Sequence, residues 1–123
     1  ENFALESDLF HSLMDALLAK DLLTAQDMAD QAASLPSREN AKSFCRYMSE
    51  SLRKIFMLQQ GLPQIAGLSS QEEADFREYA ARCRKSFART AMPHLDRARM
   101  LIDRNINLKI LFCDLVNRLY TLI

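Results

Sequence analysis

The chain has 123 residues, 49% of them hydrophobic and 26% charged, which fits one soluble domain able to bury a single core. Two glycines, three prolines and no tryptophan leave little turn material, so a β-rich fold is disfavoured and an all-α class is expected. Acids and bases balance at 16 each, yet residues 1–35 hold seven acids against Lys20 alone, so this part carries about −6 and the remainder about +6. Such polarity either pairs acidic with basic helices inside the fold or steers a partner toward one end of it.

The spacing predicts a first helix over about Phe3–Ala19, with Leu5, Leu9, Leu13, Met14, Leu17 and Leu18 on one face. A short second helix covers about Leu23–Ala33, where Ala25, Met28, Ala29 and Ala32 form a small-residue face that permits close packing. Pro36 ends it and Ser37 is a ready N-cap for a third helix over about Arg38–Leu58, with Gly61 as its C-terminal stop. "GLPQIAGLSS" (61–70) is the one long connection. Ser69 with Glu72, and Ser70 with Glu73, fit capping boxes for a fourth helix that runs to about Ala91, with Phe76, Tyr79, Ala80, Cys83 and Phe87 inward. Pro93 suits the first turn of a fifth helix ending near Arg104, with Leu95, Ala98, Leu101 and Ile102 inward. A break at 105–107 lets Asn107 cap the sixth. The sum is a compact bundle of about six helices in one domain, 1–123.

Chemistry-bearing residues are sparse. Asp8 and His11 stand three apart, but a carboxylate metal site in a bundle needs two such pairs plus further carboxylates. A lone helical histidine also suits a phosphotransfer bundle, which makes His11 a second functional candidate. Cys45, Cys83 and Cys113 each fall among apolar residues at helical spacing. They read as small buried side chains in a reducing, cytoplasmic setting and not as a disulfide framework or metal knuckle. No Gly-rich phosphate loop, cofactor motif or small-molecule site is legible, so no catalysis is expected. Arg82, Lys85, Arg89 and Arg97 belong to a basic stretch that extends to Arg104, and these make nucleic-acid binding a third candidate.

The terminal segment is the unusual one. On a helical wheel its apolar residues from Leu108 to Ile123 cover about 200°, against the roughly 100° stripe that a surface helix needs. Sixteen residues that include Lys109, Asp114, Asn117 and Arg118 exclude a membrane span. Two readings remain open. The helix is central and surrounded by the others, or Cys113, Val116, Tyr120 and Ile123 are covered by a second polypeptide.

"IDRNINLKILFCDL" (102–115) resembles the ending of bacterial clamp-loader subunits, where an "ERNAN-x-K-I-x-F-x-DL"-like segment joins the last two helices of the C-terminal collar domain. The matching residues are Arg104, Asn105, Asn107, Lys109, Phe112, Asp114 and Leu115, with Ile106 where relatives often carry alanine or proline. Residues 28–57 are similar to delta-prime subunits of the Bacteroides group, through Arg38, Glu39, Phe44, Tyr47 and Arg53. The resemblance implies a clamp-loader collar fold, and an excised C-terminal piece of an AAA+ subunit, which agrees with a first residue other than methionine. It further implies a non-catalytic oligomerisation role in DNA replication. The partners would be the delta and gamma/tau subunits, with indirect association to the sliding clamp and primed DNA.

Overall fold

A computed structural model describes the backbone of residues 2–62 and 70–123, and it is all-helical there. Six helices follow one another: α1 (Asn2–Leu18), α2 (Leu22–Ala33), α3 (Arg38–Gln59), α4 (Ser70–Arg82), α5 (Phe87–Ile102) and α6 (Leu108–Leu122). The expected capping boxes at Ser69 and Ser70 and most of the 61–70 connection lie outside the described residues.

The ends of the first three helices are set by local chemistry. Lys20 adopts φ 60°, and the Asp21 and Lys20 N–H groups bond the carbonyls of Ala16 (2.9 Å) and Leu17 (3.0 Å), the paired bonds of a Schellman stop. Asp21 then caps α2 at once, accepting from the Thr24 N–H at 3.2 Å and the Thr24 hydroxyl at 2.6 Å. Ser37 caps α3 by accepting from the Asn40 N–H at 3.1 Å. Gly61 repeats the Schellman pattern at φ 76°, with Leu62 N–H to Met57 O at 2.9 Å and its own N–H to Leu58 O at 3.0 Å.

The α4–α5 boundary differs from expectation. The break falls at 83–86, where the sequence has neither proline nor glycine, and Pro93 lies inside α5 instead of opening a helix. Two physical reasons are visible. The Gln59 side-chain amide donates to the carbonyls of Ala80 (3.1 Å) and Cys83 (3.2 Å), taking the acceptors that a continuing helix would use. Across Pro93, meanwhile, the buried stripe Phe87, Ala91, Leu95, Ala98, Ile102 runs unbroken at three- and four-residue spacing. Burial of that stripe offsets the ~3 kcal/mol that an interior proline costs, and Pro93 itself sits on the exposed face.

The bend lets both α4 and α5 lie along α3, the longest helix, which also touches α1 and α2. α6 lies between α2 and α5, its two main neighbours. One continuous core results, with Phe10, Phe44, Phe76, Phe87 and Phe112 fully buried. Each such side chain contributes about 1.5–3 kcal/mol. Leu111, Phe112, Leu115, Val116 and Leu119 of α6 are all buried, and the Phe112 ring reaches Phe44 of α3 at 6.4 Å. The wide apolar arc is therefore used mainly inside the chain, by two helices on different sides and a third beneath.

Candidate functional site

The segment 102–115 forms the α5–α6 hairpin, and nearly every residue in it has a structural duty. Ile102 is buried, and Asp103 accepts from Lys42 Nζ at 2.9 Å, a bond that raises the lysine's pKa. Asn105 takes φ 59°, a left-handed turn that asparagine tolerates better than most residues. Asn107 caps α6 through its side-chain oxygen, 3.0 Å from the Ile110 N–H. Arg38, the first residue of α3, donates to the carbonyls of Ile102 (3.1 Å) and Ile106 (2.6 Å) and so clamps the turn from below. Phe112 and Leu115 are core. Asp114 accepts from Arg118 Nε at 2.8 Å and lies 3.7 Å from Arg97. Arg104 and Lys109 are exposed and pair with no acid among the described residues. Of the other matched positions, Phe44 is buried, Tyr47 packs edge-on against Phe10, Glu39 lies 3.7 Å from Lys42, and Arg53 is exposed.

The four residues proposed to face a partner separate. Val116 and Ile123 are covered by the chain itself, so for these two the internal one of the two open readings accounts for their apolar character. Tyr120 is half-buried. Its hydroxyl donates to Lys20 O at 3.4 Å, and the Lys20 ammonium stands 5.7 Å from the ring centroid, so it closes over the α1–α2 turn. Cys113 is exposed, a correction to the reading of all three cysteines as buried; Cys45 and Cys83 are buried as expected. Desolvation pushes the Cys45 thiol up to about 12 and the Cys83 thiol to about 11, so neither is a thiolate at neutral pH.

Sequence reasoning missed the apolar side chains that do reach solvent near this hairpin: Met100 is 60% exposed and Ile110 69%. The signal was present, since Ile110 falls in line with Asp114, Asn117 and Thr121 in the polar sector of the α6 wheel. Two adjoining depressions flank these residues and share Arg97 and Leu101. One, of about 260 Å³, runs between α5 and α6 beside Ile106 and Ile110. The other, of about 360 Å³, lies on the outer side of α5 beside Pro93, Met100 and Arg104.

The remaining candidates lie elsewhere. His11 is half-buried among the rings of Phe10, Phe76 and Tyr79, 5.6–6.0 Å centroid to centroid. The Tyr79 hydroxyl lies 3.2 Å from an Asp15 carboxylate oxygen and 2.8 Å from His11 Nδ1, so the three side chains form one polar chain. Burial, and then the Asp15 charge, holds the Tyr79 phenol well above its ordinary range. No cluster of three metal-ligating side chains occurs among the described residues. The break at 83–86 separates Arg82 from Lys85 and Arg89, so these three do not share one helix face; Arg82 pairs with Glu78 at 3.3 Å. No described helix is long and apolar enough to cross a membrane. No family model, curated protein or solved structure matches this chain.

Proposed function

We propose that this chain is a non-catalytic oligomerisation module, the collar domain of a clamp-loader subunit of the delta-prime kind, acting in the cytoplasm during DNA replication. The observation that carries the reading is the hairpin built by residues 102–115. It is the segment that resembles the clamp-loader ending, and apolar Met100 and Ile110 project from its flanks into solvent. Large apolar side chains left in solvent and edged by charge suit a protein neighbour better than a solute. In this role the domain contacts the collar domains of the delta and gamma/tau subunits. Its association with the sliding clamp and primed DNA is indirect.

The test is native mass spectrometry of the loader subunits mixed with the parent protein, with and without residues 1–123. Loss of the pentamer on deletion, with the remaining module folded, is the expected result. Unchanged assembly would overturn the proposal.

A further inference from the structure

Two exposed helix faces of this chain complement each other. On α2, Leu23, Asp27 and Asp30 stand at i, i+4 and i+7, so they form one outward stripe. Leu23 is the most exposed large apolar side chain among the described residues, at 83%. Asp27 has no hydrogen bond or ion pair among those residues. Arg97 and Met100 of α5 and Arg104 just beyond its end border the outer depression, which has an apolar floor of Pro93, Met100 and Leu101 and Asp96 at its rim. Its volume, about 360 Å³, exceeds what one aliphatic side chain needs and is at the lower end of what small ligands occupy.

The two faces lie on opposite sides of α6, because α2 and α5 are its two main neighbours; Asp30 and Arg97 border α6, Arg97 3.7 Å from Asp114, while Leu23 and Met100 project into solvent. Charge then selects the pairing. A two-fold contact of α5 on α5 sets Arg97 and Arg104 against their own copies, and one of α2 on α2 does the same with Asp27 and Asp30. α2 on α5 instead brings Asp27 and Asp30 toward Arg97 and Arg104 around an apolar anchor, with Asp96 the one acid on the α5 side of the contact. We propose that the chain associates head to tail with a second copy of itself, Leu23 seating beside Met100 while Asp27 and Asp30 face Arg97 and Arg104. The contact is heterologous, so it extends to further copies unless the rotation closes a ring. It shares Met100 with the surface that the clamp-loader reading gives to other subunits, whereas the Leu23 side belongs to this contact alone.

Analytical ultracentrifugation of the chain over a concentration series at low salt tests this, with Leu23→Glu and Met100→Glu as single variants. Both positions are solvent-exposed, so both variants keep the helical circular-dichroism spectrum of the parent. Concentration-dependent association is expected for the parent, and each variant weakens it at least about tenfold, the scale of losing one interface anchor. Mixing the two variants is the decisive arm. Each retains the half that the other lacks, so the mixture forms a one-to-one dimer that grows no further. A parent that stays monomeric at its highest soluble concentration overturns the proposal, as does association that neither variant changes. A mixture that forms no dimer overturns it too.

Discussion

The α2–α6 seam and the α1–α4 seam solve the same packing problem with opposite materials. In the first, Ala25, Ala29 and Ala32 present almost no side chain, α2 lies close against α6 along its length, and Gln26 stitches the edge to Asn117 at 2.9 Å and Cys113 O at 3.3 Å. In the second, large rings span the gap: Phe10 and His11 of α1 reach Phe76 and Tyr79 of α4, with a polar relay to Asp15. A seam of alanines gains stability from closeness and resists enlargement. A seam of rings gains it from area and resists truncation.

Opposite substitutions should therefore break the two seams. Phe10→Ala removes a fully buried ring that touches Tyr47, Phe76 and Tyr79, and is expected to cost about 3–5 kcal/mol in urea unfolding. Ala29→Leu forces α2 off its neighbours and should cost about 1–3 kcal/mol, whereas the same change at exposed Ala81 should cost under about 0.5.

Titration sharpens the contrast, because the ring seam holds a buried ionisable group. The Tyr79 phenol is raised in the fold from its ordinary 10.0, so its contribution is fully present below pH 10 and is lost as pH rises further. Cys45 and Cys83, raised from 9.0 to about 12 and about 11, add a loss of the same sign that begins near pH 9. Thermal midpoints should fall from pH 9 upward. Tyr79→Phe should cost about 1 kcal/mol at neutral pH and flatten the part of the fall above pH 10, leaving the thiol part. The smallest effect is expected where the alanine seam begins. Lys20→Gly relieves a left-handed residue but loses the contact over Tyr120, so the unfolding free energy should change by under about 0.5 kcal/mol. Lys20→Ala keeps the strain and should be clearly worse.

Much of this fold was legible in the chain. The alanine face of α2, the Ser37 and Asn107 caps and the Gly61 stop follow from local chemistry, and each is in place. What failed depends on residues distant in sequence. The stop after Arg82 is imposed by Gln59 from another helix, and Pro93 is carried through α5 by burial on the opposite face, so local propensity pointed to the wrong break. Burial of Val116 and Ile123 likewise depends on how α6 is seated among its neighbours, which a helical wheel does not contain. Conversely, Ile110 was visible as an apolar residue in a polar line and marks the surface better than the wide arc did.

The Arg38 clamp has a consequence for kinetics. Its two bonds join residues 64 and 68 apart in sequence, tying the start of α3 to the α5–α6 turn. A contact that closes so long a loop carries a large entropy cost and forms after the local helices have paired. Arg38→Ala is therefore expected to accelerate unfolding and leave the folding rate nearly unchanged in stopped-flow urea kinetics. Arg38 thus acts as a late latch, setting how long the hairpin stays closed more than how fast it forms.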